Sequence, residues 1–254
     1  EAREGYGKRI IITLHADKSI TVEDFGRGIP IDFNKAEDKY NWELAFCTLY
    51  AGSKYNNNSG GNYSFALGLN GLGLCATQFS SEYMEVESRR GQWNYSLRFE
   101  KGFNVTQDER GFKKSRGDGT TGTKIHWKPD LEVFTDIDIP VEYYLDVMKR
   151  QAVVNSGVTF RFRNQTGGKF ETTDFRYDNG ILDYVTELAG ENPLTQPVFW
   201  QTERKGRDRE DKPEYKVKLS VSFCFSNRVS IVEHYHNSSW LEHGGSPEKA
   251  MKSA

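Results

Sequence analysis

Three glycines crowd into residues 62–80, NYSFALGLNGLGLCATQFS, just ahead of a short apolar run. Gly68, Gly71 and Gly73 tolerate left-handed or crowded backbone, and the run after them can wind into a helix. Free N–H groups at such a helix start suit a phosphate. A second stretch able to do chemistry is TVEDFGRGIP at 21–30, where an alternating strand ends on Asp24 and is followed by Gly26 and Gly28. A carboxylate held there can accept an exocyclic amine such as that of adenine. It can equally close an Asx turn that only shapes the loop. Neither stretch has the G-x-x-x-x-G-K-[ST] pattern of a Walker A loop. Neither is a dinucleotide fingerprint, because the acid precedes its glycines and no βαβ unit surrounds them.

Other residues can join these two loops. Lys54, in AGSKYNNN, is either a mobile point charge for a phosphate or a solvated lysine after a helix. Asn70, between Gly68 and Gly71, can reach a phosphate or cap the helix. Thr123, in TTGTKIHW, can hydrogen-bond a ligand or only its neighbours. Ile29 and Pro30 form an apolar lip able to cover one face of a purine, and Arg27 has Glu1 as a candidate partner. The five histidines show no HExxH spacing, which argues against zinc, and no G-x-S-x-G elbow marks a serine hydrolase.

The elements that must position these residues follow from hydrophobic period. RIIITLHA and SITVEDF read as a hairpin turning at DK, and NWELAFCTLY as a helix over about 41–50. SKYNNNSGGNYS is a mobile loop by composition. A helix over 72–80 leads into the period-two segments EYMEVESRR, QWNYSLRFEKG and FNVTQDE, which suit an antiparallel meander. TTGTKIHWKPD is a further strand, IPVEYYLDVMKRQAVVN a helix, VTFRFRNQ and ETTDFRYD strands, and GILDYVTELAG a helix closed by Gly190. The class is therefore α+β, one mixed sheet with helices on one face. After residue 190 the pattern changes. A long alternating strand, EYKVKLSVSFCF, carries Val217, Leu219, Val221 and Phe223 on one side, and a helix starts near Pro247 with Ser246 as its cap. A second domain beginning at 191 is expected to run on past the last residue.

Size and composition narrow the classes. With 254 residues and 36% apolar content, one large or two modest cores are possible. No apolar run of membrane-spanning length exists, and the N-terminus has no signal-peptide pattern. A formal charge of -2 does not indicate a basic DNA-binding domain. Cys47, Cys75 and Cys224 have no metal-ligand spacing and read as buried thiols in a reducing compartment. The opening EAREGYGKRI reads as the last turn of a helix, so residues upstream are expected.

DFGRGIP, AGSKY, GLNGLG and TTGTKIHWKPD, in this order and spacing, resemble the ATPase (B) subunits of bacterial type IIA DNA topoisomerases, gyrase B and topoisomerase IV B. The resemblance covers essentially the whole chain, including NSGVTFRFR, the WKPDLEVFTDI stretch taken as a strand, and HGGSPEKA. It implies a Bergerat-type (GHKL) ATP-binding α/β sandwich over 1–190. From 191 to 254 it implies the start of a transducer domain of ribosomal protein S5 domain 2-like fold. It also implies ATP and Mg²⁺ as cofactors, a homodimeric clamp on double-stranded DNA, and an A subunit carrying the strand-breaking tyrosine. A bacterial cytoplasmic setting without a membrane follows the same resemblance. By it, Asp24 meets the adenine amine, Gly28 and Ile29 lie beside the base, and Thr123 supports the water network there. Lys54 lies near the phosphates, which Gly68, Leu69, Asn70, Gly71, Leu72 and Gly73 cradle, and Glu1 pairs with Arg27. Asn70 stands where the gyrase motif commonly has histidine, and Tyr95 and Ser96 occupy the neighbourhood in which many members carry the coumarin-contacting strand arginine, so the resemblance does not extend to coumarin sensitivity. The family's general-base glutamate and Mg²⁺-binding asparagine fall upstream of Glu1, so no catalytic residue is assigned within the chain. A mismatch-repair or chaperone-type Bergerat ATPase, or a non-hydrolysing homologue, stays open as an alternative, and gyrase is not separated from topoisomerase IV.

Overall fold

The computed structural model of the chain describes residues 1–51, 72–207, 209–212 and 214–253. Lys54, Gly68, Leu69, Asn70 and Gly71, and most of the polar loop after Tyr50, lie outside the described residues.

After a 3-10 turn at Ala2–Glu4 come β1 (Arg9–Leu14), β2 (Ile20–Asp24), β3 (Phe33–Asn34), β4 (Lys39–Tyr40), α1 (Asn41–Phe46) and α2 (Gly73–Phe79). Then follow β5 (Ser81–Arg90), β6 (Trp93–Glu100), β7 (Phe103–Asn104), β8 (Lys113–Arg116) and β9 (Gly122–Pro129). α3 (Val141–Val154), β10 (Thr159–Thr166), β11 (Lys169–Phe175) and α4 (Ile181–Ala189) come next. The chain continues through β12 (Val198–Gly206), β13 (Tyr215–Phe223), β14 (Tyr235–His236), β15 (Ser239–Trp240) and α5 (Ser246–Ser253). It divides into two compact units, one holding 1–51, 72–149 and 158–175, the other 150–157 and the described residues from 176 onward.

The first unit is built on a nine-stranded sheet ordered β11-β10-β1-β2-β9-β5-β6-β7, with β8 on the edge of β6. Among the described residues of this sheet β1 and β10 run parallel and the other ladders are antiparallel, so the sheet is mixed. Alternation gives it two different faces. Met84 and Val86 of β5 and Leu97 and Phe99 of β6 are buried in a cluster with Phe46 of α1, Ile31 and Phe112. Ile29 of the glycine turn packs against the same cluster. On the opposite face the ladder pairs unlike charges, as in Glu87 opposite Lys124, whose ammonium lies 3.2 Å from that carboxylate. Apolar residues thus mark the helix-covered face and ion pairs the other.

Several expectations change in detail. α1 stops at Phe46 rather than near 50; its start is set by the Tyr40 N–H donating to the Glu43 carboxylate at 2.8 Å. WKPDLEVFTDI is not a strand beyond Pro129. Asp130 accepts the Glu132 N–H on its side chain and the Phe134 N–H on its carbonyl, which folds the chain into a turn. FNVTQDE keeps only Phe103–Asn104 as strand, because Asn104 Oδ1 takes the Thr106 N–H and turns the chain. β8, a lysine-rich strand, escaped the alternation rule since all four of its residues are exposed. Of the three free thiols only Cys75 is buried; Cys47 and Cys224 are half-buried.

In the second unit, β12 and β13 form a long hairpin and α4 packs on β13. Val217, Leu219 and Phe223 of β13 are exposed among the described residues. Arg150 stacks on the Trp240 ring, and Glu233 accepts the Tyr235 hydroxyl at 2.8 Å.

Candidate functional site

Sheet register brings the separate motifs onto one row. Ile10 pairs with Asp24, Asp24 with Thr123, Thr123 with Ser88, and Ser88 with Tyr95. Side chains directly opposite one another share a face. Asp24 shares its face with Ile20 and Val22, Thr123 with Ile125, and Ser88 with Val86, so the row lies on the helix-covered side where the apolar stripe ends in polar groups.

Asp24 uses one carboxylate oxygen locally: Oδ1 accepts the Gly26 N–H at 2.8 Å. The Asx turn allowed by the sequence is therefore present. Among the described residues Oδ2 accepts no hydrogen bond, and a carboxylate can only accept when ionised. Thr123 is buried, and its Oγ1 accepts the Ile29 N–H at 3.2 Å. That bond uses a lone pair and leaves the hydroxyl proton to be donated elsewhere. An acceptor and a donor consequently stand side by side on adjacent strands.

The glycine turn is pressed against β5. Gly28 has φ +81°, and a Cβ there would lie 2.4 Å from the Arg89 carbonyl oxygen. Gly122, at the start of β9, has φ +146° and would put a Cβ 2.3 Å from the Asp24 carbonyl oxygen. Both positions exclude larger residues on space as well as on torsion. Three bonds then hold the segment: Arg90 donates to the Gly28 carbonyl at 2.9 Å, Thr123 receives the Ile29 N–H, and Ser88 Oγ donates to the Ile29 carbonyl at 2.6 Å. On the other face Arg89 reaches Glu23 at 2.8 Å.

Behind the turn, Glu1 accepts the Arg27 backbone N–H at 3.0 Å and its guanidinium at 2.7 and 3.0 Å. The Arg27 guanidinium, hydrogen-bonded to Glu1, holds that carboxyl down to about 2. Arg27 also lies over the Tyr6 ring, 4.2 Å from its centroid. Leu72 and Gly73 open α2, where Leu72 is the N-cap and makes no side-chain cap hydrogen bond.

Asp24, Gly28, Ile29, Thr123, Arg27 and Glu1 thus come together around one turn, with Leu72 and Gly73 on the helix that follows the undescribed loop. Ser88 and Arg90 are the members that sequence reasoning missed. Ser88 continues the Met84, Val86 alternation, and a polar residue ending an apolar row was the signal available. Among the described residues no group of three His, Cys, Asp or Glu side chains could hold a metal ion. In the second unit, a cavity of about 560 Å³ is lined by Val232, His234, Trp240 and Met251 among others.

A mixed sheet with helices on one face, ending in this row, is a Bergerat-type (GHKL) α/β fold. The 43K ATPase domain of Thermus thermophilus gyrase B, solved in complex with an aminocoumarin, shares it with a TM-score of 0.62 at 24% identity, over 85% of this chain and 52% of that one. No family model matches the chain. The B subunit of DNA gyrase from Thermotoga maritima is 30% identical over 254 residues, all of this chain and 38% of that protein. The B subunit of DNA topoisomerase 4 from Salmonella typhimurium is 35% identical over 193 residues, 76% of this chain and 30% of that protein. The mitochondrial DNA gyrase B protein of Arabidopsis thaliana is 28% identical over 258 residues, 100% of this chain and 34% of that protein. The chain belongs to the gyrase B and topoisomerase IV B family, the ATPase subunits of type IIA DNA topoisomerases. It spans 30–38% of the length of these relatives.

Proposed function

We propose that this chain is the adenine-nucleotide-binding region of a type IIA DNA topoisomerase B protein. The observation that carries the reading is the Asp24–Thr123 pair beside a turn fixed at Gly28–Ile29. Asp24 offers an acceptor to the adenine N6 amine, and Thr123 offers its hydroxyl proton to a ring nitrogen or to a bridging water. Guanine presents an oxygen where adenine has the amine, so it meets an acceptor with an acceptor. Ile29, anchored in the core cluster, supplies an apolar face for the ring. Lys54 and the run Gly68 to Gly73 are assigned to the phosphates on the sequence resemblance. Glu1 stiffens the turn through Arg27.

In the complete protein, ATP binding closes two such ATPase subunits into a clamp around double-stranded DNA, hydrolysis reopens it, and an A subunit makes the break. Mg²⁺ would neutralise phosphate charge when bound; among the described residues no group of three His, Cys, Asp or Glu side chains could hold it. Residues 191–254 are assigned to the start of the transducer domain, and the protein to the bacterial cytoplasm; among the described residues no helix is long and apolar enough to cross a membrane.

Asp24→Asn tests the reading in the full-length protein. Asparagine can still take the Gly26 N–H, so the turn survives while the acceptor for the base is compromised. Calorimetric titration with a non-hydrolysable ATP analogue is expected to show a loss of about 1.5–3 kcal/mol, the range for a hydrogen bond to a charged group. Unchanged affinity would remove Asp24 as the residue that reads the base.

A further inference from the structure

Ser88 is fully buried in β5, on the face that β5 otherwise fills with Met84 and Val86. An apolar residue would pack there without a hydroxyl to satisfy. The hydroxyl has one strong use, a 2.6 Å bond to the carbonyl of Ile29, a residue 59 positions earlier that has left the sheet ladder. The N–H of the same Ile29 goes to Thr123 on the strand next to Ser88. One residue of the lip is therefore held at both its polar backbone atoms by hydroxyls from two adjacent strands, and Arg90 holds the carbonyl before it. Because Thr123 accepts from Ile29, its proton is kept off that N–H and left for donation elsewhere; if Ile29 could turn, that constraint would be lost.

We propose that Ser88 is a positioning residue of the base site, setting base selectivity by fixing Ile29 and, through Ile29, the donor direction of Thr123. The proposal rests on the adenine reading above. Ser88 acts through Ile29 and Thr123 rather than on the base itself. It keeps the lip and the Thr123 hydroxyl in the one arrangement that matches a donor–acceptor edge. Arg90 supports the same segment from the solvent side.

The test uses the full-length protein and two probes, non-hydrolysable ATP and GTP analogues, titrated against unmodified protein, Ser88→Ala, Ser88→Cys and Ser88→Thr. Cysteine is a weak donor and a little larger than serine, and threonine keeps the hydroxyl. Ser88→Ala and Ser88→Cys are expected to lose about threefold to tenfold in affinity for the ATP analogue, the worth of one neutral hydrogen bond. Their preference for the ATP over the GTP analogue should shrink by a similar factor, and Ser88→Thr should restore both. If Ser88→Ala fails to fold, Ser88→Cys carries the measurement. Unchanged preference in a folded variant, or an equal loss for both nucleotides, overturns the positioning role and leaves the base site standing. Unmodified protein that does not prefer the ATP analogue overturns the adenine reading and this proposal together.

Discussion

At the scale of single residues, the turn at Gly28 is constrained twice, by its torsion and by its neighbour. A Cβ at φ +81° would lie 2.4 Å from the Arg89 carbonyl oxygen, a backbone atom that cannot swing away. Gly28→Ala should therefore destabilise the protein by about 1–3 kcal/mol, measured by urea denaturation, and weaken adenine-nucleotide binding as the lip is pushed off β5. Glu1 gives a pH signature. Arg27 lowers its carboxyl from 4.5 to about 2, so the pair stabilises the folded state fully above pH 4.5 and loses that contribution as pH falls toward 2. Both side chains are more than a third exposed, so the contribution is small. Melting temperatures taken across that window should fall less steeply for Glu1→Gln than for the unmodified protein; parallel curves would mean the pair contributes nothing.

Elements connect the site to the core. β5 supplies Met84 and Val86 to the central cluster and, two residues further, Ser88 to the lip, so one strand serves both. Phe46 of α1 and Phe99 of β6 pack with ring centroids 5.6 Å apart, and both are buried. Phe99→Ala should destabilise by about 3–5 kcal/mol, the usual effect of removing a buried aromatic, read as a shift in urea midpoint. Strands with one buried face were legible because alternation marks them. β8 was not, since an exposed edge strand needs no apolar period and is held by its pairing to β6. The turn after Pro129 was hidden for a related reason. The apolar residues of LEVF imitate a strand, while Asp130 captures the backbone locally.

For the whole molecule, the two compact units mean that a ligand on the sheet should act first on the unit that carries it. An ATP analogue at about a hundred times its dissociation constant should stabilise that unit by about 2.7 kcal/mol. Hydrogen exchange should report the protection in β2, β5 and β9, and a GTP analogue at the same concentration should give less. Uniform protection across both units would contradict this. The order and spacing of DFGRGIP, AGSKY, GLNGLG and TTGTKIHWKPD, with the period of the strands, determined the family and the α+β class, and singled out Asp24, Gly28, Ile29, Thr123 and the Glu1–Arg27 pair. Each motif is short and its residue types are set by local chemistry, and their order along the chain can be read without a structure. Tertiary structure alone decided that Asp24, Thr123 and Ser88 stand on one row, and that the Ser88 hydroxyl bonds to Ile29. Register between strands far apart in the chain is set by which faces bury together, and no local stretch of residues records that choice.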